Sequence, residues 1–101
     1  MRRAAKVDGN QEDIAKALRS AGMSVQLLHT VGKGCPDALV GWRDINVLLE
    51  IKIPGPPSAQ ALTTDERAWH EKWGGQVAIV TTAKEAVDVV VNHVVRMKGV
   101  A

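Results

Sequence analysis

The sequence predicts an α/β fold, a mixed four-stranded sheet flanked by helices in the order αβββαβα. Three observations carry that expectation. Two short apolar runs, residues 38–42 and 45–53, are separated only by the polar pair Arg43-Asp44, the pattern of a β-hairpin. Apolar residues recur at helical spacing near both ends of the chain, Ile14, Leu18 and Ala21 early and Val87, Val90, Val91 and Val94 late. Between the hairpin and the last helix lie a helical segment at 64–73 and an apolar run at 76–81, a crossover and a final strand.

Each element has local signals. The first helix covers 10–21, and Gly22 stops it. Residues 24–31 read as a strand leading into the loop Gly32-Lys33-Gly34. After the hairpin, Pro54-Gly55-Pro56-Pro57-Ser58 breaks the sheet and forms a mobile loop near Lys52. Thr63-x-x-Glu66 is a capping box that opens the helix at 64–73. Trp69 and Trp73, one turn apart in it, are expected to be core aromatics packed on the sheet. Gly74-Gly75 ends that helix, and residues 76–81 form the last strand. Thr82-Ala83-Lys84-Glu85 reads as a second capping box, opening a helix to about residue 97. Its valines would tolerate a strand, but the cap and the 3,4,7 spacing favour helix.

Bulk properties narrow the class. A chain of 101 residues suits one domain with a modest core. Residues 1–9 form a flexible basic N-terminus containing Arg2, Arg3 and Lys6, and 10–101 form the domain. No apolar stretch reaches membrane-spanning length and no signal-peptide core follows the basic start, so a cytoplasmic location without membrane contact is expected. Cys35 is alone and cannot form an internal disulfide, which fits a reducing compartment. A net charge of +2 is weak for a dedicated non-specific DNA binder; Lys33 and Arg43 could meet phosphates, and each suits a solvated face equally well. His29, His70 and His93 lack the partners and spacing of a zinc site; His70 could assist near the substrate, but a helix-surface position is the favoured reading. Gly32-Lys33-Gly34 is too short for a phosphate loop and precedes a strand rather than a helix.

The chemistry concentrates on the hairpin. With the turn centred between residues 43 and 44, Asp37 faces Glu50, and Lys52 projects from the same side as Glu50. Side chains directly opposite on paired strands lie roughly 4.5–5.5 Å apart at Cβ, where two like charges repel. A divalent cation between them removes that cost. Mg²⁺ takes one or two carboxylates plus waters and substrate phosphate, so Asp37 and Glu50 suffice, and the Ile51 carbonyl can add a third oxygen. Lys52 would orient or deprotonate the attacking water or stabilise charge on the phosphate. The plainer alternative makes Asp37 a turn residue and Glu50 and Lys52 exposed strand positions. Against it, Glu50 sits in Val47-Leu48-Leu49-Glu50-Ile51-Lys52-Ile53, a run apolar on both faces, where an acid needs a partner.

Pro36-Asp37 followed by Glu50-Ile51-Lys52 resembles the PD-(D/E)XK nuclease signature. The chain is most similar to the VRR-NUC branch, particularly its short stand-alone bacteriophage domains. Asn10-Gln11-Glu12-Asp13-Ile14 looks like that family's opening helix with its glutamate. Val31 to Gly41 looks like its G-x-P-D-hydrophobic-hydrophobic-G segment, and Leu62 to Gly75 like its later helix. The resemblance implies a restriction-endonuclease-like core and a Mg²⁺- or Mn²⁺-dependent endonuclease acting on branched, flapped or four-way DNA as a homodimer, in the host cytoplasm if phage-encoded. It implies Asp37, Glu50 and Lys52 as the catalytic core and Glu12 as a further metal or water ligand. Glu12 also suits the helix macrodipole in a first turn. Where the family often carries glutamine, this chain has Glu66. The valine-rich last helix and the hairpin are the places expected to form a dimer interface. The alternatives are a catalytically inactive module of the same fold that binds DNA or protein, and an enzyme that works only inside a larger complex.

Overall fold

The two-residue turn at Arg43-Asp44 sets the register of the sheet. Both residues have positive φ, 50° and 69°, the backbone of a type I′ turn, whose twist matches that of the flanking strands. It joins β2 (Ala38–Trp42) to β3 (Ile45–Ile51), with Leu39 opposite Leu48 and Gly41 opposite Asn46, the pairing expected from the sequence. The structure, a computed structural model, describes residues 9–99. Arg2, Arg3 and Lys6, and with them the expected flexible basic N-terminus apart from Gly9, lie outside the described residues.

β1 (Ser24–Leu27) pairs antiparallel with β2, and β4 (Val77–Val80) pairs parallel with β3, giving the sheet order β1-β2-β3-β4. The parallel pair requires a crossover. It is supplied by a 3₁₀ turn at Pro57–Gln60 and by α2 (Thr64–Lys72). With α1 (Gly9–Ser20) leading and α3 (Ala83–Lys98) closing, the helix and strand order is the expected αβββαβα with one added 3₁₀ turn. β1 ends at Leu27, short of the 24–31 expected, because the chain turns there and the Val31 N–H donates to the Leu28 carbonyl. The loop expected to be mobile is closed by Gln60, whose amide donates to the Ile53 carbonyl at 2.7 Å. No helix among the described residues is long and apolar enough to cross a membrane.

The core lies on one face of the sheet. Alternation with period two sends Ala38 and Val40 of β2 and Val47, Leu49 and Ile51 of β3 to that face. There they meet Ile14 and Leu18 of α1 and Ala86 and Val90 of α3. Val94 is buried as well, so the valine stripe expected at an interface between copies is used by the chain's own core.

α2 lies over the opposite face and differs from the sequence expectation. None of its residues is buried. Trp69 and the adjoining Trp73 are not core aromatics. Trp73 is 46% exposed, and the two rings stack on each other at 4.6 Å. The capping box at Thr63 and Glu66 forms as expected. The one expected at Thr82 forms by half. Thr82 accepts from the Glu85 N–H, but the Glu85 carboxylate reaches back to the N–H and hydroxyl of Thr81 instead.

Candidate active site

Asp37 is fixed from three sides just before β2 begins. Its N–H donates to the Leu49 carbonyl and its own carbonyl accepts from the Leu28 N–H. Its side chain continues the ladder, since Oδ2 accepts the Ile51 N–H at 2.7 Å. In an extended strand a residue's N–H and C=O point to the same side, so the Ile51 carbonyl is directed towards the Asp37 side as well. The third contact comes from α1, where Gln11 Nε2 donates to Asp37 Oδ1 at 3.1 Å.

Glu50 lies next to it on β3, almost wholly inaccessible at 1% exposure. Burial pushes its carboxyl up to about 9, helped by a hydrogen bond with Asp37 and by the charges of Asp37 and Glu66, while Lys52 works in the opposite direction. Glu50 therefore keeps its proton at neutral pH unless a cation replaces it. The remaining contact is His70 of α2, whose Nε2 stands 3.3 Å from Glu50 Oε1. His70 reads from the sequence as a surface residue. Its side chain is instead only 14% exposed and touches the buried acid.

Lys52 follows Glu50 on the same face and reaches α2. Its Nζ donates to Glu66 Oε1 at 2.7 Å. The same oxygen accepts the Thr63 N–H at 2.9 Å, so one carboxylate both caps the helix and holds the lysine. Burial works against the Glu66 charge, but hydrogen bonds from Lys52 and Thr63 keep its carboxyl below the usual range. The backbone at Lys52 is held separately, because Asn10 Nδ2 donates to its carbonyl at 2.9 Å and to that of Thr81 at 3.3 Å.

Of the residues singled out in the sequence, Asp37, Glu50, Ile51 and Lys52 come together. Glu12 does not join them. It is exposed and lines a groove with Ala15, Lys16, Arg19, Ser20 and Leu27, while its neighbour Gln11 turns to Asp37. Successive helical residues point about 100° apart, so a helix that presents Gln11 to the site turns Glu12 away from it. Gln11 and Asn10 are contributors that sequence reasoning missed, and His70 is one that it set aside as a surface residue. Gln11 had a signal, since it falls on the buried stripe with Ile14, Ala15 and Leu18.

Cys35 adjoins the acids. Burial first, then the charges of Glu50 and Asp37, raise its thiol, which suits a packed residue and not a nucleophile. Among the described residues no three His, Cys, Asp or Glu side chains form a cluster able to hold a metal. A donor set of two carboxylates, a backbone carbonyl and waters nonetheless meets the needs of Mg²⁺, which seldom takes more protein ligands. The buried Glu50 carboxyl beside Asp37, pushed upwards by burial, is the feature that would suit a cation, which could take the place of its proton.

The comparisons with known proteins add no family to this geometry: no family model matches the chain, and neither a curated protein nor a solved structure matches it.

Proposed function

We propose that the chain is a divalent-metal-dependent endonuclease that hydrolyses DNA phosphodiester bonds on a PD-(D/E)XK-type core. The observation that carries the reading is the Asp37–Glu50 pair: two acids pressed together at a strand end, one kept protonated by burial, with an ammonium two residues away. A structural role gives no reason to bury an acid against a second acid. A cation site does.

Asp37, Glu50 and the Ile51 carbonyl would hold Mg²⁺ or Mn²⁺. When bound, that ion would polarise the phosphate and lower the pKa of a coordinated water. Asp37 is kept in place by the Ile51 N–H and Gln11, so its free lone pairs keep a fixed direction. Glu50 must give up its proton for the ion to bind, and His70 Nε2 is the neighbour placed to accept it. Lys52, fixed by Glu66, stands where it can orient the attacking water or sit against a phosphate oxygen. Glu12 has no part in this arrangement, and Gln11 takes the place on α1. A chain of this size carries one such centre, so cutting both strands of a branched substrate would need two copies.

The test is cleavage of linear, flap and four-way DNA in Mg²⁺ and in Mn²⁺. The wild-type chain should cut, and Asp37→Asn, Glu50→Gln and Lys52→Ala should each remove cutting while the chain stays folded by circular dichroism. Activity that survives all three substitutions rules the reading out. DNA binding without cutting would favour the inactive-module alternative.

A further inference from the structure

Beside the acids, the helix that carries Glu66 and His70 has a second flank. Asp65, Ala68, Trp69 and Lys72, spaced i, i+3, i+4 and i+7, share it. With Lys33 they line an open groove of about 450 Å³. The loop bearing Lys33 is locked against this helix at Gly34, which has a φ of +83° and where a Cβ would overlap the Asp65 backbone. The groove shares its elements with the candidate active site: the loop bearing Lys33 leads into Asp37, and the helix bearing Trp69 also carries Glu66 and His70 on its other flank.

Two features mark the groove. Trp69 and Trp73 stack at 4.6 Å with 22° between their planes. Trp73 lies beside Leu39 and Leu48 of the sheet and yet stays 46% exposed, so the stacked pair partly covers the sheet and also forms a stiff aromatic platform. In addition, among the described residues neither Lys33 nor Lys72 has a carboxylate within 4.0 Å, although Asp65 shares the groove. Two unpaired ammonium groups to one carboxylate leave the groove complementary to an anion, and an adjoining indole selects for a flat ring.

The geometry points to a subsite for an unpaired nucleic-acid strand, with Lys33 and Lys72 on its phosphates and Trp69 against a base. The inference rests on the reading of the chain as a nuclease and specifies which part of a branched substrate it holds: the single-stranded arm next to the scissile bond. Single-strand binders combine a basic track with aromatic stacking in this way. A groove that only tracks duplex phosphates would use the lysines and leave the indole idle.

The experiment measures fluorescence anisotropy of a labelled oligothymidylate and of a blunt duplex of equal length, with the full chain in EDTA across a range of salt concentrations. Lys33→Ala/Lys72→Ala should reduce the salt slope for the single strand by about 1.4, two contacts at roughly 0.7 each. Trp69→Ala should weaken single-strand binding about tenfold and leave the duplex unaffected, and Trp69→Phe should retain most of the affinity. The lysines are exposed, so the double variant remains informative if Trp69→Ala unfolds. Wild-type affinity and slope in the variants would overturn the proposal. So would a loss confined to the lysine pair, or no binding of the single strand by the wild-type chain. Because binding is read without metal, a groove that responds in a chain that never cuts would sink the nuclease reading and leave the subsite standing. Normal cutting with unresponsive groove variants would sink the subsite alone.

Discussion

Glu66 holds Lys52 through the same oxygen that caps α2: Oε1 accepts the lysine ammonium at 2.7 Å and the Thr63 N–H at 2.9 Å. The helix start and the lysine position are thus set by one atom. Removing Glu66 would perturb both, and the two consequences can be separated. Thr63→Ala breaks the reciprocal half of the cap, at a cost of about 1 kcal/mol, and leaves the carboxylate on Lys52. Glu66→Ala loses both contacts. Cleavage by Thr63→Ala is expected to stay near wild type, while Glu66→Ala falls by roughly 10²-fold, the scale of a misplaced catalytic group. Glu66→Gln keeps an acceptor oxygen and should recover part of the loss. Equal losses in Thr63→Ala and Glu66→Ala, measured as kcat under saturating Mg²⁺, would show that only the helix end matters.

The buried acid makes stability depend on pH in a direction opposite to that of an ordinary salt-bridged carboxylate. Glu50 is raised from 4.5 to about 9 in the folded chain. Below pH 4.5 both folded and unfolded chains hold the proton, and Glu50 adds no pH dependence. Between 4.5 and 9 the unfolded chain releases it and the folded chain does not, so stability falls as pH rises through that window and levels off above it. Glu50→Gln removes the penalty. At pH 7.5 it should raise the melting temperature, by an amount corresponding to about 1–3 kcal/mol, and the gain should vanish near pH 4. A variant less stable than wild type at pH 7.5 would mean that the acid is not held protonated.

Gly34 ties the loop before Asp37 to the start of α2. Its φ of +83° is in the left-handed region, and an added Cβ would meet the Asp65 carbonyl oxygen and the Glu66 nitrogen, both backbone atoms that cannot swing aside. Gly34→Ala is expected to cost about 2 kcal/mol or more in denaturant unfolding. It should also lower activity further than lost stability explains, because the displaced backbone is the peptide joining Asp65 to Glu66, and Glu66 holds Lys52. A neutral Gly34→Ala would show that the loop and helix are not in contact.

What the sequence made legible follows from how local each signal is. The hairpin register was readable because alternation with period two and a single polar pair at Arg43-Asp44 leave one consistent pairing, which brought Asp37 to Glu50 and Ile51. Glu12 was expected from family likeness alone, whereas the apolar stripe through Ile14, Ala15 and Leu18 already pointed to Gln11. The contact from His70 could not be read from α2 itself. It exists because the helix crosses the sheet face carrying Glu50, which is a tertiary fact. The tryptophans misled for a related reason: an aromatic pair at i,i+4 resembles a core stripe, yet Asp65, Glu66, Arg67, Glu71 and Lys72 surround it and leave no apolar face wide enough to bury.

The most direct test of the central claim, that Asp37 and Glu50 form a cation site, is calorimetric titration of the wild-type chain with Mn²⁺ at pH 7.5 in two buffers of different ionisation enthalpy. Saturable binding to one site with release of close to one proton is expected, since the ion must displace the proton that Glu50 holds; Asp37→Asn should abolish the binding, and Glu50→Gln should weaken it and remove the proton release. No saturable binding, or binding that both variants leave unchanged, would contradict the account.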